Sequence, residues 1–301
     1  MGGTGFVGSA LVKHLFINKN NRLNLLIHKK ADYGSLENIN AITGSINDFD
    51  SRWLERYPPD ILFHLARPSG SNYITRKIRS SAGERANRRL VNILCGIPEP
   101  PMVVYVSGSL MYGERSADEP AYEDSPLDPA SYARFYYRNE LPWIEAQQDG
   151  LLDVRFARPG WIAGPSSWFM KFFWKHFTLS GKVPVYGDGQ NPMSVIHIDD
   201  CAAMIDGLSL YGAKGSNLNI YAADTILQSN FSKLLAKILN AETENISYNY
   251  VRRKYGEVTA KALVSSSPMK TLYPALHRKT RIQFPETSAL LADVVRLLKN
   301  I

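Results

Sequence analysis

What most constrains this chain is a regular alternation of short apolar runs with longer amphipathic stretches. The apolar runs stand at Leu23 to Ile27, Ile61-Leu62-Phe63, Met102 to Val106, Val154 to Ala157 and Val195 to Ile198. Helical patterning separates them, at Ala10 to Phe16, Arg85 to Leu94 and Tyr132 to Gln148. Short apolar strands alternating with helices imply a parallel sheet covered on both faces. The expected fold is α/β, a doubly wound parallel sheet in which Leu23 to Ile27 and Met102 to Val106 share one sheet. After about residue 225 the alternation gives way to a helix at Phe231 to Leu239, polar loops and a final helix at Ser288 to Leu298. That tail is read as most of a smaller C-terminal lobe.

Composition narrows the class. With 45% hydrophobic and 21% charged residues over 301 positions, the chain can bury a real core. No apolar run approaches the roughly 18 residues of a membrane-spanning helix, and the first residues lack the basic flank and apolar centre of a signal peptide. Two cysteines, Cys95 and Cys201, are too few for a disulfide framework and fit a reducing cytoplasm, the expected location. The net charge of +7 comes from scattered basic residues, and no nucleic-acid-reading motif is present. No cluster has metal-ligand spacing. The expected partner is a small-molecule substrate, with a homodimer left open.

The strongest chemical signal is Gly2-Gly3-Thr4-Gly5-Phe6-Val7-Gly8, which runs straight into the helix beginning near Ala10. Gly2, Gly5 and Gly8 permit a tight turn, let backbone amides approach a pyrophosphate, and let the helix pack closely on the sheet. A plain turn before a helix competes with that reading. Such a loop should follow a buried strand, and here the chain begins inside the motif. The first, central strand is therefore expected to be truncated, irregular or missing, with the natural start several residues earlier.

Further motifs, in order, resemble the extended short-chain dehydrogenase/reductases, also called the NAD-dependent epimerase/dehydratase family. They are Asp60-Ile61-Leu62-Phe63-His64-Leu65-Ala66, Val104-Tyr105-Val106-Ser107-Gly108-Ser109 followed by Met111-Tyr112-Gly113, and Tyr132 at a helix start. Arg158-Pro159-Gly160 and Gly187-Asp188-Gly189 running on to His197-Ile198-Asp199-Asp200 complete the set. The resemblance implies a Rossmann-like dinucleotide-binding domain over residues 1–160 and 185–222, with 161–184 and 223–301 forming the substrate lobe. It implies cofactor contacts from Gly2, Gly5, Phe6, Val7, Gly8, Leu65, Ala66, Tyr132 and Pro159. The segment Gly44-Ser45-Ile46-Asn47-Asp48 resembles the family's adenine-edge loop, so Ile46 is expected against the ring, although Ser45 stands where the family has Asp.

The family's catalytic set is a Ser or Thr that holds the substrate oxygen, a Tyr that exchanges the proton, and a Lys one helical turn after the Tyr. Tyr132 fills the tyrosine position, but Tyr136 stands where the Lys should be. A free phenol titrates near pH ~10, so losing that ammonium weakens it as an acid/base near neutrality. Arg134 falls off the tyrosine's helical face, and Arg138 would have to curl back. The serine slot falls on Gly108, leaving Ser107 and Ser109 on either side; Ser109 is the preferred hydroxyl. Two pairs with the missing spacing, Tyr73 with Lys77 and Tyr250 with Lys254, lie outside the active-site stretch and are read as coincidence.

Charge argues for the cofactor. The strand Leu23 to Ile27 ends in His28-Lys29-Lys30 with no acid before Asp32. A basic strand end suits the 2′-phosphate of NADP(H), which is preferred, with NAD(H) retained as the alternative. Sugar-nucleotide members of the family carry an Arg between Gly-Asp-Gly and the His-x-Asp-Asp strand; Met193 occupies that place, and a thioether cannot clamp a diphosphate. The aromatic run from Trp168 to Trp174 reads as core, as a wall suited to an apolar carbonyl, or as an amphipathic membrane-surface helix. His197 is expected to be structural. Three readings follow: an NAD(P)-dependent oxidoreductase or epimerase acting on a small carbonyl or alcohol, a catalytically impaired dinucleotide-binding sensor or scaffold, and a sugar-nucleotide epimerase or dehydratase.

Overall fold

The computed structural model describes residues 1–27, 38–47, 49–67 and 73–300. In the first part, β1 (Leu23–Ile27), β2 (Ile39–Thr43), β3 (Ile61–His64) and β4 (Met102–Val106) alternate with α1 (Phe6–Phe16), α2 (Ser51–Arg56) and α3 (Tyr73–Cys95). Next come α4 (Arg134–Gln148), β5 (Val154–Pro159), β6 (Trp161–Ala163), α5 (Lys175–Ser180) and β7 (Lys182–Tyr186). Then follow β8 (Pro192–Met193), β9 (Val195–His197), α6 (Ile198–Tyr211), β10 (Asn217–Ile220), β11 (Ile226–Leu227), α7 (Gln228–Leu239) and β12 (Glu242–Ile246). The tail carries α8 (Tyr248–Tyr255), α9 (Glu257–Leu263), α10 (Pro274–Lys279) and α11 (Thr287–Lys299). Every apolar run singled out in the sequence forms a strand, although Ile198 turns out to open α6. Unanticipated were β2, where Ile39 to Thr43 has too few apolar residues to stand out, and β6, β7, β8, β10, β11 and β12.

The α/β fold with parallel pairing is as expected. The main sheet has the order β10-β5-β4-β3, all parallel. Side chains of β4 alternate between the two layers. Val104 and Val106 pack with α1 and α6 residues such as Leu11, Met204 and Leu208. Val103 and Tyr105 pack on the other face with Leu90, Leu94 and Trp143 of α3 and α4. A third core brings Phe169, Phe172 and Phe173 against Phe231, Leu235, Leu290 and Val294. Outside the main sheet, β6 pairs with β9 and β7 with β12 in parallel, and β8 with β11 in antiparallel.

One expectation about the sheet fails. β1 and β2 form a separate two-stranded parallel pair and do not share a hydrogen-bonded sheet with β4. Between β1 and β3 lies a slot of about 840 Å³ lined by Leu23, Leu25, Leu62 and Phe63 among others. Met1 lines its β3 side: its amine donates to the Phe63 carbonyl, and its own carbonyl accepts from the Leu65 amide at 2.9 Å. A ladder cannot cross such a gap without a strand in it. Among the described residues no helix is long and apolar enough to cross a membrane.

Candidate active site

The glycine turn sits at the carboxyl end of β3. Gly2 has φ +83°, and a Cβ there would lie 2.8 Å from the Ala66 nitrogen. A Cβ on Gly8 would run into the Gly2 carbonyl oxygen. The turn is closed by the Gly5 amide donating to the Gly2 carbonyl at 3.0 Å. α1 starts from Gly5 without a side-chain cap and without an acid in its first turn. Its free amides and dipole therefore suit an anion. These features fit the pyrophosphate of a dinucleotide, and Gly2, Gly5, Phe6, Val7 and Gly8 are the residues that would hold it, beside Leu65 and Ala66. Ile46 is half-buried and packs on the cluster around Phe49 and Leu54. His28, Lys29 and Lys30 lie outside the described residues.

The serine stretch departs from the expected geometry. Ser107 and Ser109 were to share one face of an extended segment, but Ser109 opens a short 3-10 helix reaching Tyr112. Ser107 instead joins a buried ion pair. Its hydroxyl donates to Glu140 Oε2 at 2.5 Å and accepts from Arg158 Nη1 at 2.9 Å. Glu140 and Arg158 meet directly at 2.5 Å, each 2% exposed. Pro159 is buried at the end of β5, its carbonyl near Gly108.

Tyr132 lies in the turn before α4, which starts at Arg134, two residues later than expected. It is buried with Met111, Ala133 and Ala262. Its hydroxyl shares a hydrogen bond of 2.7 Å with the Ser265 hydroxyl. Ser265 in turn is held through its carbonyl, which accepts from Asn191 Nδ2 at 3.1 Å. Burial pushes the Tyr132 phenol above its ordinary value; the Ser265 hydrogen bond opposes the rise and Glu114 adds to it. Tyr136 faces Arg67, whose guanidinium lies 5.7 Å from the ring centre. Arg138 does not curl back toward Tyr132, because Glu84 of α3 takes it at 2.8 Å. Arg134 is exposed.

The structure also settles several side readings. Met193 is 1% exposed, in the same core as Phe169, Phe172 and Phe173 of the aromatic run, while Trp168 is 41% exposed and packs on Trp161. His197 caps α6, accepting from the Asp199 amide, with its other nitrogen 3.3 Å from Asp293. Lys254 donates to the Tyr250 hydroxyl at 3.0 Å, but on the exposed face of α8. Sequence reasoning missed Ser265 and Arg67. Ser265 sits in an unremarkable serine run; Arg67 was signalled by its place directly after the strand end His64-Leu65-Ala66.

The fold has known relatives. The human epimerase family protein SDR39U1, solved with NADPH, superposes with TM-score 0.76 at 20% identity, covering 98% of this chain and 97% of that one. UDP-glucuronic acid 4-epimerase from Bacillus cereus, solved with UDP-glucuronic acid and NAD, gives TM-score 0.79 at 17% identity, covering 99% and 98%. A dTDP-glucose 4,6-dehydratase from Streptomyces griseus is 29% identical over 146 residues, 48% of this chain but only 43% of that protein. The model of the NAD dependent epimerase/dehydratase family matches residues 1–220. With the glycine turn, the parallel sheet and the tyrosine helix all inside that span, the chain belongs to the NAD dependent epimerase/dehydratase family.

Proposed function

We propose that this chain binds a nicotinamide dinucleotide, NADP(H) ahead of NAD(H), and reduces a small carbonyl with Tyr132 as proton donor. The observation that carries the reading is the buried Tyr132 phenol, hydrogen-bonded to Ser265 and kept protonated by burial. A dinucleotide held by the glycine turn would supply the hydride. Tyr132 gives its proton to the carbonyl oxygen, and the Ser265 hydroxyl stabilises the resulting phenolate by donating to it. Because burial disfavours that phenolate, the resting residue is the protonated phenol that reduction uses; the reverse needs Tyr132 deprotonated first. Residues 1–160 and 185–222 form the cofactor-binding part of this reading, and His28, Lys29 and Lys30 supply charge for a 2′-phosphate.

A second reading, binding without turnover, is favoured by Ser107, whose hydroxyl the Glu140–Arg158 pair consumes, and by Tyr136 in the lysine's place. Two of the relatives named above, the UDP-glucuronic acid 4-epimerase and the dTDP-glucose 4,6-dehydratase, are named for sugar nucleotides, but the buried thioether of Met193 gives a diphosphate no grip. A titration with NADPH and NADH, followed by a screen of aldehydes, ketones and nucleotide sugars, separates the readings. NADPH should bind more tightly. Tyr132→Phe should lower carbonyl turnover by roughly 100-fold or more and leave dinucleotide affinity nearly unchanged. Full activity in that variant overturns the assignment, and binding with no turnover on any substrate supports the second reading.

A further inference from the structure

Arg67 occupies a position that neither the ion pairs nor the glycine turn explains. It follows directly on Leu65 and Ala66, the residues against which Gly2 packs. Its side chain reaches sideways from the end of β3 to the end of β4, where Nη2 donates to the Val106 carbonyl at 3.3 Å. The guanidinium also covers the ring of Tyr136 in the first turn of α4. Gly108 lies beside it, where a Cβ would stand in ordinary contact, 3.5 Å from Nη2. Three elements thus converge on one exposed cation at the carboxyl edge of the sheet.

That cation has no carboxylate partner within 4.0 Å among the described residues. Glu140 lines the same small cavity beside Arg67 and Tyr136, but it is committed to Arg158 and Ser107. A guanidinium presents five donors in a fixed fork, and Val106 accepts from one of them. Neighbouring parallel strands lie about 4.8 Å apart. A ligand anchored by its phosphates on the glycine turn and extending toward Tyr132 therefore crosses from β3 to β4 at Arg67. In a dinucleotide, the unit next after the pyrophosphate in that direction is a ribose.

We propose that Arg67 donates hydrogen bonds to the hydroxyls of the ribose on the nicotinamide side of the bound dinucleotide, with Tyr136 holding the guanidinium in place. The assignment rests on the reading that a dinucleotide occupies the crevice. It gives Tyr136 a function of its own, as the aromatic platform of a cation supplied by another strand. Arg67 acts on the cofactor and leaves the Tyr132 phenol to Ser265.

Calorimetric titration of the wild type, Arg67→Ala and Arg67→Lys with NADPH, ADP-ribose and ADP tests this directly. ADP-ribose keeps the second ribose and ADP lacks it. Arg67→Ala should weaken NADPH and ADP-ribose about tenfold or more, the range for a hydrogen bond to a charged group, and leave ADP within about twofold. Arg67→Lys should fall between the two, since it keeps the charge and loses the fork. Unchanged circular dichroism and melting temperature are expected, Arg67 being exposed. Equal losses for all three ligands overturn the ribose assignment in favour of a phosphate contact. Unchanged binding of NADPH and ADP-ribose overturns the inference alone. Absence of any dinucleotide binding by the wild type overturns the underlying reading and this inference with it.

Discussion

Glu140 and Arg158 are each 2% exposed, and such a pair stands only if its remaining hydrogen-bonding capacity is met. Ser107 meets part of it, bridging one carboxylate oxygen and one guanidinium nitrogen. Removing one charge is then far worse than removing both. Glu140→Ala should destabilise the fold by about 3–5 kcal/mol, because it strands a buried guanidinium. Glu140→Leu combined with Arg158→Met should recover much of that loss. Urea denaturation decides; equal stability of Glu140→Ala and wild type would show that the pair contributes nothing. The same residues show where sequence reading reaches its limit. Ser107 looked like a candidate catalytic hydroxyl because it follows an apolar strand beside Gly108. Its actual partners come from α4 and β5, 33 and 51 residues away, and no local pattern announces them. Ser265 was hidden from Tyr132 for the same reason, at a separation of 133 residues.

At the scale of elements, α3 and α4 form the layer that supports the site from one face of the sheet. Asn87 of α3 accepts from Trp143 of α4 at 3.0 Å and pairs with His64 at 2.8 Å. Asn139 of α4 donates to the Ser80 hydroxyl of α3 at 3.1 Å. The close approach depends on Gly83 in the middle of α3, where a Cβ would collide with Asn139 Oδ1. Helix propensity alone favours Ala over Gly by roughly 1 kcal/mol. Gly83→Ala should nevertheless destabilise by about 1–3 kcal/mol, the usual range for overpacking, with the loss reduced when Asn139→Ala accompanies it. A thermal melt in which Gly83→Ala is more stable than wild type would contradict this packing. Strand and helix identities were legible because β4 is apolar on both faces and the helices keep their period. The break between β1 and β3 has no counterpart in the apolar pattern of either run. Its consequence, two separate ladders where one was expected, is a property of long-range pairing that the pattern at Leu23 to Ile27 cannot carry.

At the scale of the molecule, buried titratable groups set a plateau of stability with two falling edges. Burial lowers the imidazoles of His64, to about 3, and of His197 and His277. Their ordinary value is 6.5. Below it the unfolded chain takes up protons that the folded one refuses, so stability is lost as pH falls from there toward about 3 for His64. Burial raises the phenols of Tyr105, Tyr112, Tyr132 and Tyr186 and pushes Tyr221 up to about 12, against an ordinary 10.0. Above pH 10 the unfolded chain releases protons that the folded one keeps, so stability falls again. The acid edge can be assigned to a residue. Trp143 donates to Asn87 Oδ1, which makes His64 Nε2 the second donor to that oxygen and leaves Nδ1 bare and buried, between the rings of Tyr105 and Trp143. His64→Phe keeps an aromatic ring there and leaves Asn87 with its tryptophan partner. Melting temperatures from pH 4 to 9 should fall less steeply below pH ~6 in that variant, by the slope of one proton, about 1.4 kcal/mol per pH unit. An acid edge of unchanged slope would assign the loss to His197, His277 or the carboxylates and remove His64 from the account.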